Sequence, residues 1–348
     1  MAPEDVTGQV VDGRYRLGPV IGRGGMGSVR RGWHEKADVP VAVKLFEPVA
    51  DRDELVAATA EARALSRVHH PNLVELYDVG RRELPDGTWQ MYLVLELVDG
   101  PALTARLREG PLDPGQVAVL GRGAASGLAA VHDAGVVHRD VKPGNLLLTG
   151  DERAVKVADF GIARVLDATR LTLPGTTLGT ASYLSPEQAA GREVRSPSDV
   201  YSLALVLIEC LTGAKAFSGT IAEVAAARLL RDPELPTGLP LGWAGLLRAM
   251  TDRDPGARPS AMEASLLLSE LVPPDRVPDP TAPAAPAGPP DEPTVAVPNE
   301  GSAGDVAEAL IEVRRGFDQL GLAADRRAVV EAAIGLLDDE LHRHSTRP

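Results

Sequence analysis

Val137-His138-Arg139-Asp140-Val141-Lys142-Pro143-Gly144-Asn145-Leu146-Leu147-Leu148 is the stretch that decides the fold, and after a short hairpin it is followed by Val157-Ala158-Asp159-Phe160-Gly161. Between apolar runs these segments carry two acids, an amide and a lysine. Asn145 and Asp159 are hard oxygen donors of the kind that suits Mg²⁺. Asp140 is a carboxylate able to accept a hydroxyl proton, and Lys142 stands two residues beyond it.

Upstream lies Gly22-Arg23-Gly24-Gly25-Met26-Gly27-Ser28-Val29, spaced as GxGxxG. Glycines let backbone amides approach phosphate oxygens without a Cβ in the way. Alone the spacing is weak, because a dinucleotide-binding turn shares it and three glycines also make an ordinary flexible turn. A dinucleotide turn opens into a helix, whereas this one opens into Ser-Val-Arg-Arg-Gly-Trp, a strand. A glycine-rich hairpin lying over a nucleotide fits better. Next comes Val41-Ala42-Val43-Lys44, an apolar strand ending in a lysine that must reach solvent or neutralise something in a cleft. The helix that follows offers Glu61 as its partner. Glu54, one turn from the helix start, suits the helix dipole instead.

The segments around these residues read as an α+β chain. Strands are expected at 14–21, 28–33 and 39–46, a helix at 51–68, and strands at 73–79 and 89–97 on either side of Pro85-Asp86-Gly87. Five strands and one helix make a small first lobe. Beyond Pro101 helices are expected at 116–134, 198–212, 221–230, 243–250 and 261–271. A β-rich lobe followed by a helical lobe leaves a cleft between them, a common place for a ligand.

Glycine hairpin, lysine strand, His-Arg-Asp loop and Asp-Phe-Gly, in this order, resemble the protein kinase superfamily, specifically the bacterial eukaryotic-like (Hanks-type) serine/threonine kinases. The resemblance implies a bilobal kinase domain over 14–271, with an N-lobe at 14–98, a C-lobe at 99–271 and an N-terminal extension at 1–13. It also implies transfer of the γ-phosphate of ATP to serine or threonine hydroxyls of proteins, with Mg²⁺ or Mn²⁺. Such transfer needs in-line positioning and charge neutralisation more than covalent help from the protein. By resemblance Asp140 is the base, Lys142 holds the γ-phosphate, Lys44 and Glu61 are the supporting pair, and Asn145 and Asp159 hold metal. ATP contacts fall to Ile21, the glycine hairpin from Gly22 to Val29, Ala42, Lys44, Leu147 and the backbone at Glu96. Structural roles go to Glu187 of Ser185-Pro186-Glu187 with Arg258 as its ion-pair partner, to Asp199 as brace of the catalytic loop, and to Gly161. His138 and Phe160 stack internally with Leu65 and Leu76.

Two other classes compete. A pseudokinase binding module usually lacks the lysine, base or metal ligand, and here Lys44, Asp140, Asn145 and Asp159 are all present. Small-molecule phosphotransferases generally lack the Gly179-Thr180 and Ser185-Pro186-Glu187 elements. Between Asp159 and Glu187, Thr169, Thr172, Thr176 and Thr177 are candidate phosphorylation sites. The resemblance gives Arg139 the role of binding a loop phosphate, so autophosphorylation is expected at Thr172, Thr176 or Thr177. Thr180 is assigned to substrate positioning.

Composition sets the outer bounds. The 348 residues are 44% hydrophobic, 24% charged and only 3% aromatic, so aliphatic side chains and alanine must fill the core. A net charge of −13 argues against nucleic acid or anionic lipid as partner. The single cysteine, Cys210, lies in an apolar run and reads as a buried thiol suited to a reducing cytoplasm. Neither a signal peptide nor an apolar run of the ~18 residues a membrane span needs is visible, and a cytoplasmic protein is expected. Residues 272–301 are rich in proline and alanine and read as an extended linker. In the segment 302–345, Val306, Leu310, Val313, Phe317 and Leu320, then Val330, Ile334, Leu337 and Leu341, form apolar helical stripes. An antiparallel helical pair is expected there, docking on the kinase, on a second copy as a homodimer, or on a partner protein.

Overall fold

Alternation along the strands divides the first lobe into two cores. In the computed structural model, which describes residues 6–24, 27–50, 52–160 and 181–272, this lobe is one antiparallel sheet. Strands β1 (Val10–Val11), β2 (Tyr15–Gly24), β3 (Gly27–His34), β4 (Val39–Phe46), β5 (Leu76–Glu83) and β6 (Trp89–Glu96) run in the order β1-β2-β3-β4-β6-β5. Tyr92 and Val94 share one face with Val41, Val43, Leu45 and Tyr15. The alternate residues Met91 and Leu93 join the other core, with Leu55, Ala58, Ala62 and Leu65 of helix α1 (Arg52–Leu65).

The sheet has six strands, not the five expected. The additional strand, β1, comes from the stretch read as an extension and pairs Val10 with Arg16 and Val11 with Tyr15. Two residues are too few to show a pattern. Helix α1 stops at Leu65, short of residue 68, and the chain turns through Arg67 and Val68 ahead of Pro71. Strand β5 starts at Leu76 instead of residue 73, because Leu73 and Val74 are used elsewhere. The Val74 N–H donates to the Val157 carbonyl at 2.9 Å, and the Val157 N–H to the Asn72 carbonyl at 2.8 Å. This parallel bridge ties the first lobe to the second.

The second lobe contains α2 (Leu103–Leu107), α3 (Pro114–Asp133), the hairpin β7 (Leu146–Leu148) and β8 (Val155–Val157), and then α4 (Pro186–Ala189), α5 (Ser196–Thr212), α6 (Ile221–Leu230), α7 (Trp243–Met250) and α8 (Ala261–Glu270). The start of α3 is fixed by Asp113, whose side chain accepts from the amides of Gly115 at 3.0 Å and Gln116 at 3.3 Å, with Pro114 in the first turn. Helix α3 packs on α5, α8 and β8. A Cβ at Gly127 would stand 2.7 Å from the Asn72 carbonyl, so bare backbone is needed where α3 passes the interlobe bridge. Every residue of α5 from Ser198 to Cys210 is buried, as expected for the central helix of a lobe. Burial raises the Cys210 thiol well above its usual range, which makes it a packing residue. Among the described residues no helix is long and apolar enough to cross a membrane. The linker beyond residue 272 and the helical segment at 302–345 lie outside the described residues.

Candidate active site

Asp199, in the first turn of α5, organises the loop that carries Asp140. Its carboxylate is 1% exposed and accepts the backbone N–H groups of His138 and Arg139, each at 2.8 Å, while His132 Nε2 lies 2.7 Å away. The buried ring of His138 extends the network, with Nε2 2.9 Å from the Ala158 carbonyl and Nδ1 accepting the Asp140 N–H at 3.3 Å. Arg139 (φ 68°) and Asp159 (φ 61°) both occupy the left-handed region. That costs a non-glycine residue about 1–3 kcal/mol and persists only where surroundings over-determine it. Here the Asp199 and His138 bonds do so.

The reactive groups follow from that scaffold. Asp140 Oδ2 takes Lys142 Nζ at 2.8 Å and Asn145 Nδ2 at 3.0 Å. Its Oδ1 is buried and has no hydrogen-bond partner among the described residues. Asn145 spends Nδ2 on the Asp140 side chain and, at 2.8 Å, on the Asp140 carbonyl, which leaves the amide oxygen for a cation. The Ala158 N–H donates to the Asn145 carbonyl at 2.8 Å and so sets Asp159 beside that amide. Asp159 Oδ2 in turn lies 2.7 Å from Lys44 Nζ. Burial opposes ionisation of Asp159, but the charge and hydrogen bond of Lys44, with His138 and Lys142 adding, hold its carboxyl below the usual range. Thus Lys44 from β4, Asp159 after β8 and the Asp140–Lys142–Asn145 group lie together where the two lobes meet. The sequence reading gave Lys44 a partner in Glu61; the 2.7 Å pair with Asp159 is a contact it did not anticipate. Glu61 lies half-buried on α1.

The glycine hairpin sits above this group. Strands β2 and β3 close at Gly24 and Gly27, and the β3–β4 register sets Val29 opposite Lys44. Gly27 has φ +136°, and a Cβ there would lie 2.0 Å from the Leu45 carbonyl. Ile21, Gly22, Ser28 and Val29 are half-buried, Arg23 is exposed, and Gly25 and Met26 lie outside the described residues. Ala42 is buried and Leu147 half-buried, the latter bridged to Ala102. The N–H of Glu96 donates to the Glu75 carbonyl at 2.8 Å, so the backbone contact assigned to Glu96 does not use that N–H. Its side chain pairs with Lys156 at 2.9 Å, a link between lobes that sequence reading missed.

Beneath the loop, Glu187 and Arg258 form a bidentate pair at 2.7 and 2.9 Å, and Ser198 Oγ donates to the same carboxylate. Burial disfavours the Glu187 anion, but the Arg258 and Ser198 hydrogen bonds outweigh it and hold the carboxyl low. Gln188 Nε2 donates to the Arg139 carbonyl at 2.8 Å, joining α4 to the Asp140 loop. No motif flagged Gln188, and only its spacing from Ser185 as a capping box was legible. Leu65, Leu76 and Phe160 share one buried cluster, and His138 is fully buried. Gly161, Thr169, Thr172, Thr176, Thr177 and Thr180 lie outside the described residues.

These residues fit a metal–nucleotide: a buried carboxylate oxygen without a partner among the described residues, hard oxygens on Asn145 and Asp159, a buried lysine, and a hairpin whose Gly27 leaves no room for a Cβ. The protein kinase domain family matches the chain over residues 15–266. Serine/threonine-protein kinase PknL of Mycobacterium tuberculosis is 39% identical over 287 residues, covering 78% of this chain and 70% of the relative. PknA of Corynebacterium glutamicum is 37% identical over 293 residues, covering 80% of this chain and 62% of the relative. PknA of Mycobacterium tuberculosis is 37% identical over 257 residues, covering 72% of this chain and 59% of that protein. Motif order, bilobal architecture and a match spanning both lobes agree: the chain belongs to the protein kinase family.

Proposed function

We propose that the chain phosphorylates serine and threonine hydroxyls of proteins from ATP, in bacterial signalling, and that the residues gathered in the cleft divide that work. The observation that carries the reading is the buried Oδ1 of Asp140, without a hydrogen-bond partner among the described residues, in the same site as the Lys44–Asp159 pair. Asp140 takes the hydroxyl proton at Oδ1 and aims the oxygen for in-line attack, while Lys142 and Asn145 hold Oδ2 and fix the carboxylate plane. Asn145 and Asp159 would hold Mg²⁺, or Mn²⁺ in its place, and the ion would supply charge neutralisation at the phosphate oxygens. Lys44 orients the phosphates, and the glycine hairpin closes over them. The relatives' names, as serine/threonine-protein kinases, and the lysine at position 142 support serine and threonine as acceptors. No observation favours a pseudokinase or a small-molecule phosphotransferase.

The same reading assigns autophosphorylation to Thr172, Thr176 or Thr177, with Arg139 as the receiving cation and Thr180 positioning substrate. It divides the chain into a kinase unit ending at 271, a linker at 272–301 and a helical segment at 302–345 that docks on the kinase, a second copy or a partner. The single cysteine and acidic charge support a cytoplasmic setting without nucleic acid as partner. The test is to incubate the purified chain with γ-labelled ATP and Mg²⁺ and map each modified residue. Label on serine or threonine, including the loop threonines, is expected. An unlabelled protein with unlabelled protein substrates would overturn the kinase reading, and an unmodified loop at full activity would overturn the autophosphorylation.

A further inference from the structure

Helix α8 is apolar on both sides. Ala261, Ala264, Ser265 and Leu268 are buried, and the helix packs on α3, where Ser265 Oγ donates to the Arg122 carbonyl at 3.1 Å. The other side carries Met262, Leu266 and Leu267, which are 48%, 60% and 41% exposed. Met262 and Leu266 are one turn apart and form a single stripe. Gly242 lies against the end of α8, where a Cβ would stand 2.7 Å from Leu271 Cδ2, and so the almost fully exposed Leu241 borders the same patch. A surface helix normally turns a polar face to water, and one that is apolar all round belongs in an interior. Single exposed leucines are ordinary, but large apolar side chains gathered in one place mark an interaction site.

The chain itself supplies an occupant. The described residues end at Val272, one residue past Leu271, the cap of α8. The proline-rich stretch 272–301 then leads to the segment 302–345, in which Val306, Leu310, Val313, Phe317 and Leu320 recur at helical spacing. That segment is too short to bury such a stripe by itself. Fully extended at about 3.1 Å per residue, the linker reaches ~90 Å, several times the ~15 Å length of α8. The tether therefore holds the stripe near α8 at a roughly millimolar effective concentration, above that of a second copy in a micromolar solution. Charge agrees as well. Arg314 flanks the stripe between Val313 and Phe317, and the exposed Glu270 borders the patch on α8.

We propose that the outer face of α8, formed by Met262, Leu266 and Leu267 with Leu241 at its border, is the docking site for the apolar stripe at 306–320 of the same chain. The tail then folds back on the helical lobe, on the side of α8 that faces away from α3. None of these residues belongs to the site around Asp140, so the proposal stands apart from the kinase reading.

Hydrogen–deuterium exchange of the full chain, followed by mass spectrometry, tests it with wild type, Leu266→Gln, Met262→Gln and Val56→Gln. Val56 is an exposed apolar residue of α1 in the other lobe and serves as the control. Amides of 306–320 should be protected in wild type, to the same degree after hundredfold dilution of the protein. Leu266→Gln and Met262→Gln, which each remove an apolar contact, should raise exchange there about tenfold. Val56→Gln should leave it at the wild-type value, and exchange in α5 should be the same in all four proteins. Unprotected amides at 306–320 in wild type would overturn the proposal. So would protection that survives both α8 substitutions, or protection that falls on dilution, which would mark a second copy as the occupant. A rise in both α8 variants that extends equally to α5 would show general loss of the fold and would overturn it too.

Discussion

Replacing Asp140 with asparagine removes one negative charge and the proton acceptor while keeping the shape of the side chain. The structure sets the consequence. Lys142 Nζ and Asn145 Nδ2, both donors, face Oδ2 at 2.8 and 3.0 Å. An asparagine must turn its amide oxygen toward them and its NH₂ toward the position of Oδ1, the buried atom without a partner among the described residues. A substrate hydroxyl then meets a donor where it needs an acceptor. Loss of a positioned base costs about 10²–10⁴ in turnover, equivalent to ~2.7–5.5 kcal/mol of barrier. Lys44, Asp159 and the glycine hairpin are untouched, so ATP affinity should be retained. Initial rates of peptide phosphorylation, with nucleotide binding measured separately by titration, decide the matter. Turnover within about threefold of wild type would refute the assignment, since no positioned base contributes so little.

Arg258→Met leaves Glu187 buried without its partner and should cost about 3–5 kcal/mol in urea unfolding at neutral pH. Because the folded Glu187 carboxyl lies below its ordinary 4.5, its contribution is present above that pH and lost as pH falls below it; acid sensitivity in this range should be weaker in the variant, and an unchanged acid limb would contradict the pairing. Gly27→Ala places a Cβ 2.0 Å from the Leu45 carbonyl at φ +136°, a strain of about 1–3 kcal/mol. The ATP KM should rise about tenfold, and an unaltered ATP KM would detach the hairpin from the nucleotide. Truncation after Val272 should keep peptide phosphorylation; loss of activity in a folded truncated protein would show that the tail is part of the catalytic unit.

Local chemistry was legible and long-range pairing was not. Asp140, Asn145 and Asp159 stand out because polar residues interrupt apolar runs at fixed spacing, and the structure brings them together. The glycine hairpin was separable from a dinucleotide turn only because Ser28-Val29-Arg30 reads as strand, and β3 bears this out. In contrast, Lys156 and Glu96 lie 60 residues apart and look like ordinary surface charges until the lobes close on one another. Leu73 and Val74 look like strand β5 because they are apolar, yet their backbone groups serve the bridge to Val157. Arg228 carries no signal in the sequence. A single arginine near the end of an amphipathic helix is usually solvated, and only packing against Phe217 and Ser182 makes it exceptional.

The account depends on Asn145 and Asp159 presenting oxygens to a metal–nucleotide beside Lys44. Electron paramagnetic resonance of Mn²⁺ titrated into the protein with a non-hydrolysable ATP analogue reads this directly, comparing wild type with Asp159→Asn. Wild type should bind the metal–nucleotide with a protein-perturbed Mn²⁺ signal, and the variant should lose at least about tenfold in affinity, the scale of one charged ligand contact. Identical affinity and spectrum in the two proteins would contradict the account.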